Sequence, residues 1–191
     1  MNSYKLSIAY DGTNYYGFQK QKNKPTIQGK LEEALNLLVD SYELNYSGRT
    51  DAGVHAKSQI VNIKTDLILD SKKISSINKI LGDSISINSF KIVSSNFHAR
   101  YGATERTYKY LVRDSKSNYP HLNKNTYQHY SLLNLEDLNK VAKLFIGAHN
   151  FSSFSRIEKF NNPERSIFSS KWIKKNEIYE YTIIANSFLR N

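Results

Sequence analysis

Two hydrophobic periodicities alternate along this chain, and their order limits the folds open to it. Tyr4–Tyr10 alternates with the period of a strand. Thr26 suits a helix N-cap, and Ile27, Leu31, Ala34, Leu35 and Leu38 form one apolar face running to Val39. Tyr42–Tyr46 and Ser58–Lys64 read as strands. Ser71–Leu81 reads as a short helix with Ile74, Ile77, Ile80 and Leu81 inward, and Ile85–Val93 as a further strand.

That order, β-α-β-β-α-β, is the split βαβ pattern of a ferredoxin-like unit. It predicts an N-terminal subdomain over residues 1–102. The remainder, 103–191, begins the same way. Thr104–Arg113 is strand-like, with Tyr108, Tyr110 and Val112 on one face. Asn134 caps a helix carrying Leu135, Leu138, Val141, Ala142 and Phe145, and Gly147 is expected to end it. Asn161–Arg165 reads as a surface loop. Ser166–Lys174 and Ile178–Ala185 read as strands joined at Lys175-Asn176-Glu177. This second unit is β-α-β-β and lacks the final helix and strand. The predicted class is α/β (α+β): two fused ferredoxin-like or RRM-like subdomains. They are expected to form a mixed, largely antiparallel sheet with helices on one face, the second subdomain incomplete.

Composition narrows the function. The 191 residues are 39% hydrophobic, enough for one sizeable core or two small ones. There is no cysteine, which excludes disulfides and thiolate zinc sites and fits a reducing cytoplasm. No apolar run approaches the ~20 residues that cross a bilayer, and no signal peptide is visible. The formal net charge of +10 points to a polyanionic partner, because Lys and Arg on a phosphate backbone release condensed counterions. Fourteen Tyr and nine Phe supply rings on which unstacked bases can rest.

The residues richest in chemistry are Ser47-Gly48-Arg49-Thr50-Asp51-Ala52-Gly53-Val54-His55-Ala56, set between two strands. A rigid scaffold there can aim a carboxylate at a ligand. Asp51 is the first candidate, as nucleophile or general base when desolvated and oriented. A buried or half-buried Asp beside an Arg would stay ionised. The plain alternative is a turn Asp bonded to nearby backbone. Arg49 has three open roles: pairing with Asp51, holding a phosphate, or replacing an extruded base. His55 is read as a loop-orienting or simply structural His. The five His residues show no metal-ligand spacing, so no metal is expected. Tyr108 lies among Arg100, Arg106 and Lys109, a pattern that stacks a base and holds its backbone; its plain alternative is sheet core. Asp11-Gly12 and Gly17-Phe18-Gln19 read as a shaped loop able to close over a ligand.

Several spaced motifs add a resemblance. They are Tyr10-Asp11-Gly12 with Tyr16-Gly17-Phe18-Gln19, Gly48-Arg49-Thr50-Asp51-Ala52-Gly53-Val54-His55, and Phe97-His98-Ala99-Arg100 with Arg106-Thr107-Tyr108-Lys109-Tyr110. Gly147-Ala148-His149-Asn150-Phe151 and Asn186-Ser187-Phe188-Leu189 follow. In that order they resemble the TruA family of tRNA pseudouridine synthases, which act on uridines 38 to 40 of the anticodon arm. The resemblance implies Asp51 as the catalytic aspartate, Tyr108 as the ring against the target base, and Arg49 as an aid to base extrusion. It places Arg106 with the substrate-binding residues, and His55, Gly48, Gly53, Gln19 and Phe18 in the supporting loops. It implies a cleft between two subdomains, a cytoplasmic homodimer, tRNA as partner, no membrane, and no cofactor or metal. Phe18 stands where the family often has Trp. The family continues from Phe-Leu-x-x into Met-Val-Arg and a helix, with that Arg in the active site. This chain ends at Phe188-Leu189-Arg190-Asn191, so it is expected to be truncated and its activity impaired. A non-catalytic RNA-binding module and an inactive remnant are the competing readings.

Overall fold

A computed structural model describes residues 1–115, 117, 119–155 and 162–189. The chain divides into two compact units, Met1–Ala103 and Thr104–Asn191.

The first unit runs β1 (Asn2–Tyr10), α1 (Ile27–Asn36), β2 (Tyr42–Tyr46), β3 (Ala56–Thr65), α2 (Ser71–Leu81) and β4 (Ile85–Val93). Its strands form one antiparallel sheet in the order β2-β3-β1-β4, the order of a ferredoxin-like unit. The period of two in β1 sends Tyr4, Leu6, Ile8 and Tyr10 to one face. There they meet Ile27, Leu31, Ala34 and Leu35 of α1, and Ile74, Ile77 and Leu81 of α2, in a single core. Both helices start where capping chemistry puts them. Thr26 accepts from the Gly29 N–H through its hydroxyl, and Asp70 accepts from the Lys73 N–H through its carboxylate.

Two expected core residues are not buried. Leu38 is 37% exposed, because α1 stops at Asn36 and only Val39 turns back into the core. Ile80 is 44% exposed. At 100° per residue it falls roughly 90° round the helix from the mean direction of Ile74, Ile77 and Leu81.

The second unit is β5 (Arg106–Asp114), β6 (Tyr127–His129), α3 (Leu135–Lys143), β7 (Gly147–Asn150), β8 (Glu164–Lys175) and β9 (Ile178–Ala185). It forms a separate five-stranded sheet, β6-β5-β9-β8-β7, antiparallel except for the β5–β6 pair. The strands thus make two sheets where one was expected. The unit is also not β-α-β-β, because β6 and β7 were not anticipated. They span three and four residues, too short to show a period. Gly147 does not end α3. The helix stops at Lys143 with Leu144 as its cap, and Gly147, at φ +112°, opens β7. Asn134 does cap α3, accepting from the Glu136 and Asp137 N–H groups. Of the expected loop 161–165, Asn161 lies outside the described residues, as do Arg190 and Asn191 at the end of the chain. Glu164 and Arg165 pair with Asn150 and His149 instead of looping out.

Arg113 of β5 is fully buried. Its Nε and Nη2 both donate to Gln128 Oε1, Nη2 also reaches Asn123 Oδ1 at 3.2 Å, and the ring of Tyr119 lies 4.9 Å from the guanidinium carbon. One side chain thereby ties the segment leading to β6 onto β5.

Candidate active site

Residues 47–55 join the neighbouring antiparallel strands β2 and β3. The Ser47 N–H donates to Ile60 O, and the Gln59 side chain donates to Gly48 O, so the base of the loop belongs to the sheet. At its tip the Val54 N–H donates to Asp51 O at 3.2 Å, closing a tight turn. Gly53 sits in that turn at φ +79°, where a side chain would be strained.

A second loop, between β1 and α1, clasps the first. The Phe18 N–H donates to Thr50 O at 3.0 Å, and the Gly53 N–H donates to Tyr15 O at 3.2 Å. The Tyr10 and Thr50 hydroxyls are 2.8 Å apart. His55 Nδ1 lies 3.0 Å from Asp11 Oδ1 and 3.2 Å from the Gly12 nitrogen. One nitrogen cannot donate to the first and accept from the second, so the tautomer decides which bond forms. The two backbones touch. A Cβ on Gly12 would stand 2.1 Å from Val54 O, and one on Gly17, at φ +89°, 2.6 Å from Thr50 O. The clasp is itself tied to α1, whose Ile27 and Gln28 N–H groups donate to Gly17 O and Phe18 O. These are two of the donors that a helix start leaves without an intrahelical partner.

Around these loops the structure gathers seven of the predicted residues: Asp51, Arg49, His55, Gly48, Gly53, Gln19 and Phe18. Three features there differ from what the sequence suggested. Asp51 is exposed, not half-buried, and among the described residues its carboxylate makes no ion pair. Arg49 does not hold it. The guanidinium turns to the clasp, where Nη1 donates to Gln19 Oε1 at 3.1 Å. Phe18 is no part of a closing lip. It is fully buried, its ring centroid 4.6 Å from that of Tyr46 and 6.1 Å from that of Tyr10. Tyr10, Tyr15 and Thr50, which carry the clasp, were assigned no role from sequence. Their partners lie about 40 residues away, and no local pattern encodes that distance.

In the second unit, Tyr108 and Arg106 share β5. Tyr108 is 40% exposed and meets Phe188 edge-on at 4.8 Å between ring centroids. Arg106 Nη1 donates to Asn186 O at 2.7 Å. The Asn186 side chain also accepts from the Ser166 and Ser187 N–H groups, so it ties the end of β9 to β8. An aromatic row crosses this sheet. Tyr127 stacks on Tyr110, Tyr110 pairs across strands with Tyr181, and Tyr181 stacks on Trp172.

Among the described residues no three His, Asp or Glu side chains cluster as metal ligands, and no helix is long and apolar enough to cross a membrane.

Residues 6–102 and 141–191 match a protein family described as tRNA pseudouridine synthase. The chain is 38% identical over 193 residues to the tRNA pseudouridine synthase A of Borrelia hermsii, covering 99% of this chain and 78% of that one. It is 39% identical over 197 residues to the enzyme of the same name from Dictyoglomus thermophilum, covering 100% and 79%. The Caldicellulosiruptor saccharolyticus protein of that name is 40% identical over 194 residues, covering 100% and 80%.

Proposed function

We propose that this chain, which belongs to the tRNA pseudouridine synthase family, isomerises uridine to pseudouridine in tRNA with Asp51 as its reacting carboxylate. The bond between uracil N1 and C1′ breaks, the held base rotates, and a bond forms between C5 and C1′. The C5 proton leaves and N1 gains one, so the reaction needs no cofactor. Asp51 serves it by attacking C1′ or C6, or by taking the C2′ proton.

The observation that carries this reading is the clasp. An exposed carboxylate sits on a loop whose backbone is fixed from both sides, so little ordering is left to do when substrate arrives. Arg49, held to neutral Gln19 and exposed, keeps its positive charge available to a phosphate or to the gap left by an extruded base. Tyr108 offers a half-exposed ring for the uracil, and Arg106 joins it in binding the substrate. The supporting residues His55, Gly48, Gly53, Gln19 and Phe18 hold the loop. Uridines 38 to 40 of the anticodon arm are the proposed targets. Extruding one costs a few kcal/mol, offset by basic contacts to phosphates. The enzyme is proposed to work in the cytoplasm as a homodimer.

Tritium release from tRNA labelled at uridine C5 tests the assignment. Asp51→Asn is expected to abolish release while leaving tRNA affinity within about twofold. Binding of tRNA by the unaltered chain with no release would overturn the enzymatic reading and favour an RNA-binding module.

A further inference from the structure

We propose that the face of the first sheet opposite α1 and α2 is a phosphodiester-binding surface built on Lys5 and Lys91. The inference rests on tRNA as the substrate. In β1 the even positions enter the core, so Ser3, Lys5 and Ser7 face the other way. Residues directly opposite in antiparallel strands share a face, and Lys5 is opposite Asn62 on β3 and Lys91 on β4. Like charges set directly opposite are destabilising.

The same face shows how a lysine is normally accommodated. Lys64 has Glu43 opposite it, with 3.8 Å between Nζ and the carboxylate. Neither Lys5 nor Lys91 has an ion pair among the described residues. Lys5 Nζ lies over the ring of Phe97, 5.8 Å from its centroid.

A second observation points the same way. Asn62 is fully buried beside Lys5, and its Oδ1 accepts from the Ala99 N–H at 2.8 Å. Among the described residues, its Nδ2 and the buried Ser3 hydroxyl on the same face have no hydrogen-bond partner. Asn62 is too covered to touch a ligand, but its unmatched donor adds to the positive field. The face therefore sets two cations opposite one another, neither with a carboxylate partner among the described residues. A phosphodiester supplies what is missing: one negative charge on two unbridged oxygens, repeated along a strand. On a protein of net charge +10, an RNA backbone is the occupant that matches.

Fluorescence anisotropy of labelled tRNA across a salt series tests the surface. The K5Q/K91Q double variant is expected to raise Kd about five- to tenfold near 0.1 M salt. It should also reduce the slope of log K against log salt by about 0.7 to 1.8, one or two phosphate contacts. Its Tm should hold or rise, since a repulsive pair is gone. The control is K72Q/K79Q, which removes the same charge from the exposed side of α2. An unchanged slope in K5Q/K91Q, or an equal loss in the control, overturns the proposal even where the unaltered enzyme isomerises tRNA. Failure of the unaltered chain to bind tRNA removes both this proposal and the reading it rests on.

Discussion

Gly17 is the residue on which the site's geometry turns. At φ +89° it lets the clasp backbone come within contact of Thr50 and Asp51. Gly17→Ala would place a methyl group 2.6 Å from Thr50 O in a conformation that L residues rarely adopt. The expected cost is about 1–3 kcal/mol, with turnover falling at least tenfold as the Asp51 loop shifts. Steady-state kinetics alongside thermal melts check this, and wild-type turnover would refute it. The Asp51 loop itself was legible, since a cluster of Gly, Asp and Thr between strand patterns has few other uses. The exposure of Asp51 and the turning of Arg49 to Gln19 were not. The second follows from a tertiary contact between residues 30 apart in sequence.

At the scale of elements, α1 does two jobs. Its apolar stripe anchors the core, and its first turn donates to the clasp. Thr26→Ala removes the cap at that turn and should cost about 1 kcal/mol, or about 4–8 °C in Tm for a unit of this size. Isomerisation should weaken more than the Tm shift alone accounts for, and parallel kinetics and melts separate the two effects. On the second sheet, Lys109 of β5 pairs across the strands with Glu180 of β9. The hydrogen bond from Lys109 holds the Glu180 carboxyl below its ordinary value of 4.5. Its contribution to stability is present above that value and is lost as pH falls through the lowered one. Relative to Glu180→Gln, the wild-type advantage in Tm should be constant above about pH 5 and shrink below about pH 4. A pH-independent difference would assign the pair no electrostatic role. Long elements with clear periods, such as β1, α2 and β9, could be read from the chain. The edge strands β6 and β7 owe their existence to neighbours that pair with them, and pairing partners leave no trace in three or four residues.

For the whole molecule the decisive fact is an imbalance of burial. Of the 24 buried apolar residues among those described, nineteen lie in Met1–Ala103 and five in the second unit. The second sheet instead shows Tyr108, Tyr110, Tyr127 and Phe168 at 40% exposure or more. Burial of apolar surface is the main term opposing chain entropy, so the second unit should give way first. Hydrogen exchange is expected to protect β1 and β3 longest and to open β5 and β9 together at lower cost. One cooperative transition with uniform protection would refute this. A strand pattern that begins again near residue 104 shows in the sequence. The unequal depth of the two cores does not, because periodicity tells which face of an element is apolar but not whether anything covers it.

The clasp also has a meaning in time. The hydrogen bonds across it join residues between Tyr10 and Gln19 to residues between Arg49 and His55, and the sheet beneath is closed by β4 at Val93. During synthesis, which delivers the N-terminal portion first, the frame around Asp51 can be finished while the strand bearing Tyr108 is still inside the ribosome. The ribosome would thus build the reacting carboxylate's mount as an independent event, before any residue of the second unit has emerged.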